Sequence, residues 1–106
     1  MKRLKFAPHL VKMILEGTKT TTWRINDDKD LRVGDALSMC RVDGTEFARC
    51  VLTSVNMTTF AKLAPVDFEG HEKFNSTEEM LETYGKYYSI VCTPQTEVKV
   101  IRFRLT

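Results

Sequence analysis

The chain has 106 residues and 42% hydrophobic content, the length of one domain (1–106) with enough apolar side chains for a core of its own. Its 28% charged residues mix both signs, which excludes a disordered chain. Sixteen basic residues against 14 acidic ones leave a net charge of +2, too small to announce a polyanionic partner unless the cations cluster.

The predicted elements run as follows. Leu4 to Ala7 reads as a short strand. His9 to Glu16 reads as a helix, with Pro8 at its entry, Gly17 just past its end, and Leu10, Val11, Ile14 and Leu15 on one apolar face. Thr18 to Arg24 is rich in threonine and reads as extended, followed by a polar loop over Asn26 to Asp30. Gly34-Asp35 turns the chain into a strand over Ala36 to Val42. Asp43-Gly44 signals a hairpin into a longer strand, Glu46 to Met57, whose alternation puts Phe47, Val51, Val55 and Met57 on one face.

Thr58 to Leu63 reads as a helical turn and Pro65 to Asn75 as irregular. Ser76-Thr77-Glu78-Glu79 is a capping box opening a helix that carries Met80, Leu81 and Tyr84 inward and stops near Gly85. The final strand, Glu97 to Leu105, sets Ile101, Phe103 and Leu105 against a solvent face of Arg102 and Arg104. About five strands with two or three helices, around a central hairpin, indicate an α+β chain with a curved or barrel-like sheet.

No apolar run nears the ~18 residues of a membrane span, and Pro8, His9 and Lys12 interrupt any leader-like stretch. Cys40, Cys50 and Cys92 are odd in number and lack C-x-x-C spacing, so reduced thiols and a cytoplasmic location are expected. Neither metal nor cofactor is called for. His9 and His71 read as exposed or locally hydrogen-bonded, and Tyr84, Tyr87 and Tyr88 as packing residues.

Chemistry concentrates in Gly17-Thr18-Lys19-Thr20-Thr21-Thr22-Trp23-Arg24. In a strand Thr22 and Arg24 share a face, whereas Lys19 joins them only from a loop or through a bulge. An amine, a hydroxyl and a guanidinium at a helix-to-strand corner suit a phosphate, a carboxylate or the polar edge of a nucleobase. The plainer alternative is a solvated lysine near a helix end, followed by threonines that simply fit a strand. Trp23 reads first as a core or rim aromatic and second as a stacking platform. With Gly17 and Arg24 it completes the candidate ligand-binding set.

The octet meets G-x-K-x-x-T-x-R at Gly17, Lys19, Thr22 and Arg24, and so resembles the signature of the ASCH domain, a branch of the PUA-like superfamily. The preceding helix, the Arg32-Val33-Gly34-Asp35 turn, the Glu72-to-Glu79 segment and the closing Val98-to-Phe103 strand are similar to that family's layout, so the resemblance spans nearly the whole chain. Lys73 stands where the family often has glycine. The resemblance implies a small PUA-like β-barrel with flanking helices and a cleft between them that binds RNA or a modified nucleoside. Small single-domain members similar to this chain include amidohydrolases that deacetylate N4-acetylcytidine, with a lysine, a threonine and a glutamate as the catalytic set. It therefore implies Lys19 as base, Thr22 as nucleophile and Glu72 as proton donor, with Glu69 the poorer match to the carboxylate. Arg24 or backbone N–H groups near Gly17 would hold the oxyanion. A single-strand ribonuclease is the remaining alternative, without the usual carboxylate cluster behind it.

Such a scheme makes a physical demand. Threonine needs an adjacent base, and lysine serves as one only if burial and a neighbouring cation lower its pKa. An ionised Glu72 would raise it again, so the scheme favours a protonated Glu72 or one placed nearer the leaving amine.

Overall fold

The computed structural model describes residues 1–106. Five strands form one curled sheet in the order β1-β3-β4-β5-β2: β1 (Lys2–Phe6), β2 (Thr21–Arg24), β3 (Ala36–Arg41), β4 (Glu46–Thr59) and β5 (Glu97–Leu105). β1 runs parallel to β3 and the remaining neighbours are antiparallel. Helices α1 (Pro8–Glu16) and α2 (Thr77–Tyr88) flank the sheet, with 3-10 turns at Phe60–Lys62 and Pro65–Phe68. The architecture is α+β, a half-barrel whose two edge strands face each other across an open seam. No helix is long and apolar enough to cross a membrane.

Two cores lie on opposite faces of the sheet. On the concave face Leu4, Phe6, Leu37, Met39, Cys50, Leu52, Ile101 and Phe103 pack with Val11 and Ile14 of α1. On the convex face of β2 and β5, Trp23, Val98 and Val100 pack with Phe60 and with Met80 and Tyr84 of α2. This explains the burial of both Val100 and Ile101 in β5, where successive side chains point to opposite faces and both faces are covered. It also corrects the expected solvent face of that strand. Arg102 lies on the convex side over the second 3-10 turn, its guanidinium donating to the Val66 carbonyl and sitting 3.8 Å from Asp67 Oδ1. Leu105, expected inward, is 38% exposed at the strand's end.

β4 departs furthest from simple alternation. Its register shifts at Phe47, opposite Met39/Cys40, and again at Thr53, between Leu52 and Ser54. Each extra residue reverses the inward parity. Ala48, Cys50 and Leu52 therefore face the concave core before the second bulge and Val55 after it, while Met57 is 58% exposed. The predicted face of Phe47, Val51, Val55 and Met57 does not exist as one surface. In α1, Val11 and Ile14 are buried but Leu15 is 55% exposed, because the helix rests on the sheet along a narrow stripe.

At α2, Ser76 accepts from Glu79 N at 3.0 Å, the first half of the expected capping box. The helix runs past Gly85 to Tyr88 and ends at Ser89, whose φ of 55° is left-handed. Gly85 lies inside it because the chain folds back there: Ile90 N donates to Gly85 O at 3.1 Å, and a Cβ on Gly85 would stand 2.8 Å from Ile90 O. Replacing an interior helical glycine with alanine ordinarily stabilises by about 1 kcal/mol. Gly85→Ala is expected to lower the melting temperature instead, and a higher melting temperature by calorimetry would refute this account of the turn.

Candidate functional site

The corner after α1 sets the site. Gly17 takes φ +84° as the left-handed helix cap, and the N–H groups of Gly17, Thr18 and Lys19 donate to Ile14 O, Met13 O and Met13 O. Those donors are engaged, and Gly17 lies on the surface outside the cleft described below. Lys19 precedes β2 and is free of strand alternation, so its side chain turns inward and is 1% exposed. Its ammonium donates to Thr21 O at 2.7 Å and to Glu72 Oε2 at 2.6 Å.

Glu72 reaches that position because its loop is stitched to the start of β2. Thr20 N and Thr21 N both donate to Gly70 O, at 2.8 and 3.0 Å, and Thr21 Oγ1 donates to Glu69 O at 2.8 Å. Gly70 has φ +68°, and a Cβ there would fall 2.0 Å from Thr20 Oγ1, so the close approach requires glycine. Glu69 thus serves through its backbone carbonyl while its side chain is exposed, and Glu72 is the carboxylate that meets Lys19.

Within β2, Thr22 and Arg24 pair with Ile101 and Lys99 and face the concave side; Trp23 faces the convex core. Trp23 donates from Nε1 to Asp67 O at 3.1 Å and stacks on His71, with ring centroids 3.8 Å apart. Arg24 spans the open seam: Nη2 donates to Lys5 O on β1 at 2.9 Å, and Cζ lies 4.6 Å from the centre of the Phe6 ring. Arg24 Nε is buried with no hydrogen-bond partner.

At this seam opens a cleft of about 220 Å³. Its walls are Lys5, Phe6, Ala7 and Leu10 on one side and Thr22, Trp23, Arg24 and Glu72 on the other, with Tyr84, Tyr87 and Tyr88 of α2 closing it. The cleft thus gathers Thr22, Trp23, Arg24 and Glu72, with Lys19 behind Glu72. Lys19 makes no hydrogen bond to the Thr22 hydroxyl. The three tyrosines form its wall as well as packing, a role signalled by their i, i+3, i+4 spacing on one helix face.

The electrostatics follow from burial and pairing. Burial lowers the Lys19 ammonium below its ordinary value, Glu72 opposes that shift, and Arg24 adds to it. Burial alone would raise the Glu72 carboxyl, but the Lys19 and His71 neighbours overcome it and hold it below its ordinary range. The resting pair is therefore ammonium and carboxylate, so the protonated Glu72 favoured on sequence grounds is not the resting form.

His71, expected to be exposed or locally bonded, is buried at 4% exposure and hydrogen-bonded at both ring nitrogens. Nδ1 lies 2.9 Å from Glu72 O, which can only accept, so Nδ1 carries the hydrogen. Nε2 then accepts from Tyr84 OH at 2.9 Å. Burial, with Lys19 nearby, lowers the imidazole from 6.5 to about 4, keeping it neutral at pH 7.

No protein-family model and no curated protein matches the sequence. Among solved structures, the ASCH domain from Lactobacillus crispatus is similar, with a TM-score of 0.69 at 14% identity over 90% of this chain and 69% of that one. ASCH from Zymomonas mobilis gives 0.68 at 12% identity over 96% of this chain and 65% of that one. The hypothetical protein PH0355 gives 0.76 at 18% identity over 100% of both. At these identities the likeness is one of fold, and the fold is that of ASCH domains.

The His71 shift carries a stability consequence. Between pH 6.5 and about 4 the unfolded chain binds a proton that the folded one refuses, so stability falls as pH falls through that window. The loss due to this one residue is on the order of 3 kcal/mol. Urea denaturation of wild type and His71→Gln across the window is expected to show a shallower pH dependence in the variant; equal slopes would contradict a buried neutral imidazole.

Proposed function

We propose that the seam cleft binds one nucleobase, presented by a modified nucleoside or by RNA. The observation that carries this reading is the Glu72 carboxylate, pinned by a buried lysine on the wall of a cleft whose lining includes the rings of Phe6, Trp23, Tyr84, Tyr87 and Tyr88. Small-molecule sites combine apolar walls with a few fixed polar groups, and 220 Å³ is below the ~300–1,000 Å³ typical of drug-sized ligands, which suits one planar group. One Glu72 oxygen is engaged by Lys19, while the other makes no hydrogen bond within the protein and can accept an N–H from a ligand. Arg24 offers the opposite polarity, with an Nε–H lacking an acceptor. An aminopyrimidine edge such as that of cytosine carries an amino donor beside ring-nitrogen and carbonyl acceptors, whereas uracil would turn a carbonyl oxygen toward the carboxylate. The ASCH fold and the octet resemblance agree with a nucleic-acid-related ligand.

A second reading, hydrolysis of the N4-acetyl amide of cytidine, is favoured by the Thr22 hydroxyl. It lines the same cleft and makes no hydrogen bond within the protein. In this scheme a ligand covering the cleft removes water, and one proton passes from Lys19 to Glu72, leaving a neutral amine and a neutral acid. The amine takes the Thr22 proton as the alkoxide attacks the acetyl carbon, and Arg24 faces the oxyanion. The C–N bond breaks as Glu72 protonates N4, leaving acetyl-Thr22. Water then attacks that ester as Glu72 takes its proton, Lys19 returns a proton to the departing Thr22 oxygen, and acetate and one proton leave; the Glu72 acid finally passes its proton back to the Lys19 amine, restoring the starting pair.

Calorimetric titration with cytidine, uridine and N4-acetylcytidine tests binding, and acetate release from N4-acetylcytidine tests hydrolysis. Cytidine is expected to bind more tightly than uridine. Glu72→Gln is expected to weaken cytidine binding about tenfold or more, the cost of a hydrogen bond to a charged group. Hydrolysis, if it operates, stops in Thr22→Val while binding persists. No binding of any nucleoside by wild type sinks the cleft reading, and binding without acetate release sinks only the second.

A further inference from the structure

The convex face of the sheet is covered on one half and bare on the other. Over β2 and β5 it is buried by α2 and the 3-10 turns. Over β1, β3, β4 and the end of β5 neither hydrophobic cluster extends across it. The register identifies what points outward there. Leu4, Met39 and Ala48 lie on the concave core, so their neighbours Arg3, Ser38 and Arg49, which pair across three adjacent strands, face out. By the same alternation Lys5, Cys40 and Glu46 face out, and so do Val51 and its partner Arg104.

This bare half therefore displays four cations, Arg3, Lys5, Arg49 and Arg104, all exposed. Its one acid, Glu46, is occupied: it accepts from Ser38 Oγ at 2.6 Å and from Arg49 Nε at 3.0 Å. Arg3 and Arg49 both help hold the Glu46 carboxyl low, behind the hydrogen bond from Ser38. The whole chain carries 16 basic against 14 acidic residues, so the local excess on this face is larger than the net charge of the molecule. The weak total conceals a clustered footprint, and the rest of the surface is slightly acidic. Neighbouring strands are about 4.8 Å apart, which places the Arg3, Ser38 and Arg49 backbone positions across about 10 Å of sheet. Lys5 belongs both to this face and to the rim of the cleft.

We propose that the bare convex face is a docking surface for the phosphodiester backbone of single-stranded nucleic acid, with Lys5 leading the strand from that face to the cleft. The proposal rests on the reading that the cleft takes a single base, and it extends the ligand from a nucleoside to a polymer. Arginines facing phosphates position a strand without reading its sequence, so selectivity stays with the cleft. Between the cations the outward residues are the buried Ser38 and Cys40 and the half-buried Val51, and none of the large exposed hydrophobic side chains is among them, so these strands offer no apolar patch that would suit a protein partner.

The test compares wild type with the triple variant Arg3→Gln/Arg49→Gln/Arg104→Gln. None of the three lines the cleft, all are exposed, and melting temperature reports whether the fold is intact. A cytosine-containing 12-nucleotide RNA and free cytidine are titrated in parallel over a range of salt concentrations. The variant is expected to bind the oligonucleotide at least tenfold more weakly at low salt. Its slope of log affinity against log salt is expected to be shallower by about 2, from roughly 0.7 per lost phosphate contact on a single strand. Its cytidine affinity is expected to be unchanged. An unchanged slope, no oligonucleotide binding by wild type, or equal affinity for polyglutamate overturns the proposal. Failure of cytidine alone to bind, with the salt response present, overturns the cleft reading and the path along Lys5 to it, while the salt response supports phosphate docking on the face.

Discussion

The ion pair between Lys19 and Glu72 organises the site. A buried ammonium is costly unless its charge is matched and its protons are used. Lys19 meets both conditions through Glu72 at 2.6 Å and the Thr21 carbonyl at 2.7 Å. The contact joins residues 53 apart in sequence, and it draws the loop before α2 against the start of β2. The backbone bonds from Thr20 and Thr21 to Gly70 hold the same junction independently of charge. His71 then sits between Trp23 and the Tyr84 hydroxyl, so the carboxylate is backed by an aromatic stack and an uncharged imidazole. Such support holds the carboxylate in one place.

The cleft exists because the sheet does not close. β1 and β2 are both edge strands, and a side chain, Arg24, reaches from one to the carbonyl of the other at Lys5. Closing the barrel with backbone bonds would fill the space between Phe6 and Thr22. Leaving it open exposes polar edges, which natural sheets cover or charge. Here α1, α2, Lys5 and Arg24 surround the opening, and the gap they leave is the cleft. The unpartnered Arg24 Nε is the cost of that arrangement within the protein.

Much of this was legible in the sequence where chemistry is local. Thr22 and Arg24 share a strand face as read, but Thr18 to Thr20, read as extended, precede β2, which starts only at Thr21; of the loop and the bulge left open for Lys19, the loop after the Gly17 cap is the one taken. Serine at 76 and glutamate at 79 mark the start of α2. Glu72 came from the resemblance rather than from spacing, because nothing local pairs it with a lysine across the fold. Other features depended on tertiary contacts. The inward side of β4 changes at bulges that carry no residue signature, and Gly85 reads as a helix end until Ile90 folds back over it. Arg102 looks like a solvent residue until the turn at Val66 and Asp67 is laid across it. The cationic face was invisible for a related reason: Arg3, Arg49 and Arg104 are scattered in sequence and meet only through strand register.

The state of the buried pair is what the account stands on, and the Glu72 carboxyl reports it directly. A carbon-13 NMR titration of the Glu72 side-chain carboxyl in wild type and in Lys19→Met reads its protonation site by site. The midpoint is expected below the ordinary 4.5 in wild type and above it in the variant, where burial acts without the ammonium. A wild-type midpoint at or above 4.5 that does not move when Lys19 is replaced would contradict the ion pair and the site built on it.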